Sequence, residues 1–263
     1  MWIPEQAGRV HGTPEQRGKI VGRTPERIPV LALWSAPRCR STAFARMMTE
    51  RDDHAVVHEP FSRVVDFGEV EVGDRIAHDE QGVLTALRAV AASKPVFFKD
   101  TTDFHYPALL ADGEFLAAAT HTFIIRDPAE AIASHHKLNP DLGRDEIGFA
   151  WLYEIFTAVQ AATGTTPIVI DSDDLLDRPA ETVRMYCEAA GIPFIPEALN
   201  WQPGMRSEWQ STSKWHESTS RTAGFQRSSG ASAELVAANP ELSAYRDYHM
   251  PYYEKLRAVA LRP

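Results

Sequence analysis

Short, almost continuously apolar segments alternate with helical segments over most of this chain, and this alternation constrains the fold more than any other feature. Consecutive apolar residues are expected where both faces of a sheet are covered, as in parallel sheets whose strands are joined by helices. Five such segments predict strands: IPVLALW, HAVVHEPF, PVFFKD, HTFIIRDP and TPIVIDSDDL. The pattern predicts an α/β fold with a mostly parallel sheet flanked by helices, and with ligands at the carboxyl ends of the strands.

The helical segments carry ordinary start and stop signals. Four of them are STAFARMMTE, GVLTALRAVAAS, PAEAIASHHK and IGFAWLYEIFTAVQAA. In RPAETVRMYCEAAG, Pro179 stands in the first turn and Gly191 follows the last, which is typical of a helix start and end. The closing stretch, ELSAYRDYHMPYYEKLRAVALRP, predicts one or two helices with an interruption near Pro251.

Composition and charge argue against several classes of protein. The 263 residues are 44% hydrophobic, enough to bury a full core, and no apolar run approaches the roughly 20 residues that span a bilayer. A formal charge of −9 argues against nucleic acid as a partner, because a phosphate backbone needs a net basic face. Cys39 and Cys187 lack metal-ligand spacing, and no secretory signal is indicated. We therefore expect a cytoplasmic protein without a metal, a membrane contact or a nucleic-acid partner.

Two segments lack the alternation. Residues 1–27 carry a short imperfect repeat, PEQAGRVHGT, PEQRGKIVGRT and PERIP, whose last copy ends at Pro29 and which has too few copies for a solenoid. They predict an arm that contacts the domain, contacts a second copy of the chain in a homo-oligomer, or extends into solvent. Residues 201–230, rich in Ser, Thr, Trp and Gly, predict a long loop that acts as a lid. The predicted organisation is one α/β domain over residues 28–263 with a C-terminal lid region.

The junction between the first strand and the first helix predicts a site for a phosphate-like group. It reads SAPRCRST, residues 35–42, and is called the phosphate loop below. The first helical N–H groups lack intrahelical partners, and Arg38 or Arg40 can add charge-assisted hydrogen bonds. A Walker A loop ending at Ser41 would need Gly and Lys where Cys39 and Arg40 stand, so ordinary ATP or GTP binding is weakly supported. The alternative is a solvated turn with Ser41 as a helix cap.

A second basic motif follows a later strand. FIIRDPAEAIASHH places Arg126 at the end of an apolar strand and Ser134 on the next helix. Such an Arg can clamp a second phosphate, and a nearby helical Ser can donate a hydrogen bond to it. Taken alone, Arg-Asp-Pro would more often form a salt-bridged turn.

Taken together, these segments resemble the sulfotransferase superfamily, which uses 3′-phosphoadenosine 5′-phosphosulfate (PAPS). SAPRCRSTAF is similar to that family's 5′-phosphosulfate loop, and IIRDPAEAIASHH to its 3′-phosphate motif, an Arg followed eight residues later by a Ser. VIDSDDLLDRPAETVRMYCEAAGIPF resembles a third family segment. The resemblance runs from Ile28 to the lid and implies a P-loop-like sheet, PAPS as donor and sulfuryl transfer to the hydroxyl or phenol of a small-molecule acceptor. Arg40 departs from the Gly of many members, and Arg38 replaces the Lys of cytosolic ones.

The resemblance also implies which residues bind the donor. Arg38 and the amides of residues 40–42 would steady the leaving phosphate, while Arg126 and Ser134 would hold the 3′-phosphate. Arg221 resembles the family's C-terminal Arg, although the usual Arg-Lys-Gly triplet is absent. The predicted donor-binding residues are Arg38, Cys39, Arg40, Ser41, Thr42, Arg126, Ser134 and Arg221.

For the base that takes the acceptor's proton, family members use a Glu after the second strand or a His after the third. VVHEPFSR puts Glu59 in the first position, and FFKDTTDFHYP retains Lys99 and carries His105 further on. We favour Glu59, with His105 as runner-up, and count Arg38 and Lys99 among the catalytic residues. The alternative for Glu59 is an ion pair with Arg38 or Arg63, which would lower its basicity.

Three side chains have two interpretations each. The helix N-terminus and two arginines predict a reactive thiolate at Cys39, unless its side chain points into the core. Trp209 and Trp215 line an acceptor pocket or pin the lid.

Three classes of function remain at this point. Arginines in both phosphate motifs and a candidate base favour a sulfotransferase over a nucleotide-binding protein of the same fold without transfer activity. A P-loop small-molecule kinase is disfavoured because the Walker lysine and glycine are missing.

Overall fold

The computed structural model describes Met1, residues 27–227 and residues 233–263. The predicted arm over residues 1–27 thus lies, apart from its two end residues, outside the described residues. The strands are β1 (Val30–Ser35), β2 (Ala55–His58), β3 (Val70–Val72), β4 (Arg75–Ala77), β5 (Val96–Thr101), β6 (Thr120–Ile125) and β7 (Ile168–Asp171).

The helices cover both faces of the main sheet. They are α1 (Ser41–Glu50), α2 (Pro60–Phe67), α3 (Glu80–Ala91), α4 (Pro107–Ala111), α5 (Gly113–Ala118), α6 (Pro128–His136), α7 (Phe149–Thr163), α8 (Ser172–Asp177), α9 (Pro179–Ala190), α10 (Ser213–Ser220), α11 (Ala233–Ala238) and α12 (Pro240–Ala258). Short 3₁₀ helices span Asp145–Ile147, Pro196–Leu199 and Ser207–Thr212. None of the described helices combines the length and the apolar character that crossing a bilayer requires.

The main sheet is parallel throughout, in the order β2-β5-β1-β6-β7, which confirms the predicted α/β fold. The chain continues from β1 to β2 on one side of the sheet and reaches β6 and β7 on the other. The order therefore reverses at β1, where Ser35 stands in register with both Thr101 of β5 and Ile124 of β6. A ligand crevice is expected at this position, outside the carboxyl ends of the strands.

Side chains of the central strand alternate between two separate cores. Val30, Ala32 and Trp34 pack on one face of the sheet, and Leu31 and Leu33 pack on the other. Because both faces are covered, the strand is apolar at nearly every position, as its sequence predicts.

Several element boundaries follow from local chemistry. α9 begins at Pro179 and ends before Gly191, whose φ of 71° is left-handed, as predicted. α12 continues through Pro251, so the interruption predicted there is wrong, and the break falls instead between α11 and α12. Pro251 removes one backbone hydrogen bond, and packing of α12 on α6 and α7 keeps the helix continuous.

The second strand is shorter than HAVVHEPF predicted, because α2 begins at Pro60, immediately after Glu59. The carboxylate of Asp100 accepts hydrogen bonds from the backbone N–H groups of Phe61 and Ser62, at 2.6 and 3.2 Å. A side chain of β5 thus satisfies the first turn of α2 and fixes where β2 gives way to the helix.

Residues 201–227, called the lid segment below, contain the 3₁₀ helix Ser207–Thr212 and α10. Its ends are held together by an antiparallel bridge between Asn200 and Gly224 and by a hydrogen bond from the Trp201 N–H to the Ala223 carbonyl. The segment predicted as a loop therefore begins and ends at neighbouring points of the domain and contains helical structure of its own.

Candidate active site

The phosphate loop turns sharply between β1 and α1 through two non-glycine residues in the left-handed region. Arg38 has φ 68° and Arg40 has φ 66°. Non-glycine residues rarely adopt such angles, because each one carries about 1–3 kcal/mol of conformational strain. Among the described residues, no side chain caps the N-terminus of α1, and the hydroxyl of Ser35 bonds that of Ser41 at 2.8 Å. The loop therefore offers helix N–H groups to an anion.

The second basic motif contacts the phosphate loop directly. Arg126 Nη1 donates to the carbonyl of Arg38 at 3.1 Å, and Arg38 Nε donates to Ser134 Oγ at 3.1 Å. Burial, followed by repulsion from Arg126, lowers the pKa of Arg38 to about 10, so its guanidinium remains protonated at neutral pH. The two motifs, far apart in sequence, thus form one basic cluster.

Two carboxylates position this cluster, one from α6 and one from α8. Glu130 Oε2 accepts hydrogen bonds from Nε and Nη2 of Arg126, at 3.0 and 2.9 Å, and lies 3.3 Å from Arg40. Arg40 also pairs with Asp173 at 2.9 Å and donates to the hydroxyl of Ser172. These residues begin α8, so the acidic stretch after β7 contacts the phosphate loop through Arg40.

Glu59 faces this cluster from the end of β2, with a left-handed φ of 51°. Lys99, which is 1% exposed, donates its ammonium hydrogen bond to Glu59 Oε1. Burial opposes the charge on Glu59, but the attraction of the Lys99 ammonium group, together with its hydrogen bond, leads the influences that hold the pKa of the carboxyl well below its usual range. The ion pair considered for Glu59 therefore forms, with Lys99 rather than Arg38 or Arg63 among the described residues.

The lid segment closes the site with a histidine. His216 Nε2 lies 3.4 Å from His58 Nε2, and its Nδ1 lies 3.3 Å from the hydroxyl of Thr42 in the phosphate loop. Burial, above all other influences, lowers the pKa of His58 to about 4 and that of His216 to about 3. Both imidazoles are therefore neutral at neutral pH.

The two lid tryptophans have different surroundings. Trp209 is 2% exposed and packs its ring against His58 and His216, with centroids 6.2 and 5.5 Å away. Trp215 lines the cavity, and its carbonyl accepts a hydrogen bond from Arg38 Nη1 at 2.9 Å. Trp209 thus pins the lid segment, while Trp215 borders the space where a ligand would bind.

These groups enclose a cavity of about 170 Å³. Its lining combines the phosphate loop, the second basic motif, the Glu59–Lys99 pair and the lid segment. The predicted residues that line it are Arg38, Arg40, Ser41, Thr42, Glu59, Lys99, Arg126 and Ser134. One cavity therefore brings together most of the residues that the sequence singled out.

Three predicted residues lie outside this lining. Cys39 is fully buried, and burial raises the pKa of its thiol to about 12 despite the nearby arginines, so the reactive thiolate predicted there is wrong. His105 is on the surface, 3.0 Å from Glu154, and Arg221 is exposed and paired with Glu217. The roles of His105 and Arg221 stay predictions.

Sequence reasoning missed three residues that organise the site. Glu130 stands four positions after Arg126 on α6, a spacing that predicts an ion pair and was available in the sequence. Asp173 and His216 reach the phosphate loop only through the tertiary fold, and no local pattern marks either of them.

Comparisons with known proteins agree with these motifs. A family model described as a sulfotransferase domain matches residues 29–260. The branched-chain-amino-acid aminotransferase-like proteins 2 and 1 of Arabidopsis thaliana are each 28% identical over 207 residues, which is 74% of this chain and 36% of theirs. The chain therefore spans about a third of the length of these curated relatives.

Solved structures of low sequence identity are also similar. A sulfotransferase from Alicyclobacillus acidocaldarius is 15% identical with a TM-score of 0.47, covering 87% of this chain and 94% of that one. Retinol dehydratase in complex with retinol and PAP is 12% identical with a TM-score of 0.43, covering 91% of this chain and 84% of that one.

Proposed function

Because this chain belongs to the family of sulfotransferase domains, we propose that it transfers a sulfuryl group from PAPS to a hydroxyl or phenol of a small molecule. The observation that carries this proposal is the meeting of both phosphate motifs in one cavity. Arg126 bonds the Arg38 carbonyl, Arg38 bonds Ser134, and the Glu59–Lys99 pair lies opposite them. Cationic and proton-accepting groups thus line the same space, as in-line transfer requires.

On the donor side, Arg38 and the amides of residues 40–42 would hold the 5′-phosphosulfate, and Arg126 and Ser134 the 3′-phosphate. The uncapped N-terminus of α1 fits an anion. Three of the five N–H groups of Arg126 have acceptors among the described residues, which leaves capacity for a phosphate. The hydrogen bond from Arg38 to Ser134 would be exchanged for bonds to the donor.

On the acceptor side, Glu59 would take the proton of the acceptor hydroxyl. The new sulfur–oxygen bond forms as the bond to the leaving phosphate oxygen breaks, and the proton passes to the Glu59 carboxylate. Lys99 makes that carboxylate a weak base, so proton transfer is expected late, once the acceptor oxygen has become acidic. Lys99 also offers a cation beside the transferring group, where negative charge spreads over its oxygens.

The donor assignment is tested by thermal unfolding with nucleotides. The desulfated donor, 3′-phosphoadenosine 5′-phosphate, should raise the melting temperature more than AMP or ATP, because Arg126 and Ser134 need the 3′-phosphate. Arg126→Ala should weaken its binding by about 2–5 kcal/mol, whereas Arg246→Ala, which removes a surface pair with Asp247, should change nothing. Equal stabilisation by AMP would reject the two-phosphate arrangement.

Transfer itself is tested with sulfur-labelled PAPS and a panel of phenols and alcohols. Glu59→Gln should lower kcat by about 10²- to 10⁴-fold while leaving donor binding intact. His216→Asn and His105→Asn ask whether a histidine is the base instead, since His216 faces the same cavity and His105 does not. Transfer from labelled ATP would favour a kinase, and donor binding without transfer to any acceptor would favour a nucleotide-binding protein.

The cellular setting is a separate proposal. We propose that the protein acts in the cytoplasm, supported by two cysteines that are both free. Fractionation of cells producing the untagged chain tests this, and recovery outside the cytoplasmic fraction would contradict it.

A further inference from the structure

Three side chains bring metal-ligating atoms together at the end of β2, beside the cavity. His58 ends β2, Glu59 follows it, and His216 reaches the same point from α10 of the lid segment. One ligand atom from each lies within 4.8 Å of the other two. His58 and His216 are 8% and 2% exposed, so these atoms are largely withheld from bulk water, while Glu59 and His216 also line the cavity.

The two separations measured from His58 Nε2 match those in a tetrahedral metal site. His58 Nε2 lies 3.4 Å from His216 Nε2 and 3.4 Å from Glu59 Oε2. Around a zinc ion with bonds of about 2.0–2.1 Å, ligand atoms at tetrahedral angles are about 3.3–3.4 Å apart. Two of the three separations therefore already have the spacing that one bound ion would impose, and the third, between His216 and Glu59, is within 4.8 Å.

The surrounding bonds leave the required lone pairs available. His216 Nδ1 can donate to Thr42 Oγ1 at 3.3 Å, which leaves Nε2 as the metal-binding nitrogen. The Thr212 hydroxyl, 3.1 Å from that Nε2, stands beside the remaining coordination position. Lys99 bonds Glu59 Oε1 and leaves Oε2 facing His58. His216 and Glu59 are thus each oriented by a neighbour outside the proposed metal sphere.

We propose that His58, Glu59 and His216 bind one divalent transition-metal ion such as Zn²⁺, with water or the Thr212 hydroxyl as a further ligand. Two imidazoles and one carboxylate suit zinc and its chemical substitute Co²⁺ better than Mg²⁺ or Ca²⁺, which prefer oxygen ligands. The ion joins the lid segment to the end of β2. It also occupies Glu59 Oε2, the carboxylate oxygen that faces His58.

Binding competes with positive charge already present. Lys99 contacts Glu59, and Arg38 lines the same cavity, so both repel a dication. The site is therefore a reversible one, filled and emptied as the free metal concentration changes. If Glu59 is the base, Zn²⁺ inhibits sulfuryl transfer, and this consequence alone rests on the proposed function.

Metal binding is measured on tag-free protein by competition with a zinc indicator dye and by Co²⁺ absorption. One Zn²⁺ should bind per chain, and Co²⁺ should give the intense visible bands of a four-coordinate ion. His216→Asn and His58→Asn should each weaken binding by about tenfold or more. His105→Asn is the matched control, because His105 also contacts a glutamate, Glu154, at 3.0 Å but has no third ligand among the residues that the structure describes. It should leave binding unchanged.

The outcomes separate the site from the proposed activity. Binding at less than one equivalent, or binding that persists in His216→Asn, overturns the site. His216 lies on the lid segment, so its replacement keeps the test valid even if His58→Asn fails to fold. A chain that binds Zn²⁺ but transfers no sulfuryl group keeps the metal site and rejects the proposed function. A chain that transfers the sulfuryl group but does not bind Zn²⁺ stoichiometrically keeps the proposed function and rejects the metal site.

Discussion

Replacing Lys99 by Met tests how strongly the structure depends on the Glu59–Lys99 pair. Lys99 is 1% exposed, and Met fills most of the same apolar volume. The variant leaves Glu59 as a buried carboxylate without its contacting cation, a change that costs about 3–5 kcal/mol in proteins. Because the Glu59 side chain is 13% exposed toward the cavity, water solvates part of its charge. We expect a loss of about 3 kcal/mol in the free energy of unfolding, the lower end of that range.

The same substitution should reverse the contribution of Glu59 to pH dependence. In the native chain the pKa of Glu59 is held below its ordinary value of 4.5, so its stabilising contribution is present above that pH and is lost as the pH falls below it. Without Lys99, burial is the largest remaining influence and raises the pKa. The folded variant then keeps a proton that the unfolded chain releases, so it loses stability as the pH rises above about 4.5.

Urea unfolding between about pH 4 and pH 8 measures both effects. Lys94→Met is the matched control, since Lys94 pairs with the exposed Asp52 at 4.0 Å and its loss should be undetectable. The double variant Lys99→Met/Glu59→Gln should recover most of the lost stability, because neither side chain of the former pair then carries a charge. A Lys99→Met chain as stable as the native one at neutral pH would refute this reasoning, and so would an unchanged pH profile.

Three further predictions concern the scaffold. Gly148→Ala should destabilise the fold by more than about 2 kcal/mol in urea unfolding, because its φ is 82° and a Cβ would lie 2.4 Å from the Thr102 carbonyl oxygen. The control Gly164→Ala, where φ is 69° but the space around the Cβ is open, should cost only about 1 kcal/mol in the same assay. Cys39 should resist alkylation in the folded chain with or without nucleotide, as followed by mass spectrometry, since its pKa is about 12. Asp100→Asn should cost about 1–3 kcal/mol by the same unfolding assay, because its amide would face the N–H groups of α2.

Local patterns were sufficient to predict the strands of the main sheet and the elements that carry the phosphate loop and the second basic motif. The strand–turn–helix from β1 to α1 is marked by apolar continuity followed by helical periodicity, and its helix has the predicted bounds. Arg126 and Ser134 occupy the strand end and the helix that their spacing indicated. These features depend on residues close in sequence, so one chain is enough to find them.

One small hairpin has a recognisable sequence pattern, although no strand is predicted for it in the sequence analysis. VEVGDRIA alternates apolar and polar residues around Gly73, which is the pattern of two short antiparallel strands and a tight turn. The structure forms β3 and β4 there, with Gly73 at φ 66°. Each strand has only three residues, which is too short for alternation alone to predict it.

Local sequence patterns do not identify the partners of the charged residues. An ion pair for Glu59 was considered with Arg38 or Arg63, and the register of β2 with β5 sets His58 beside Lys99 and makes Lys99 the partner. His216 is 158 residues from His58, and only the closed path of the lid segment brings them together. Such contacts depend on which strands are neighbours, which apolar periodicity does not encode.

Backbone strain links the site to the completed sheet. The described chain has four non-glycine residues with positive φ, and three of them line the cavity: Arg38, Arg40 and Glu59. Glycine would adopt these angles more easily, but it would remove the charge that each side chain brings to the cavity. Each is held by a neighbouring element. Arg126 bonds the Arg38 carbonyl, Asp173 pairs with Arg40, and the Lys99 carbonyl accepts the Glu59 N–H at 2.7 Å. At about 1–3 kcal/mol of strain per residue, these conformations persist only while their partners are in place. Loosening a partner should therefore disorder the site before it unfolds the sheet.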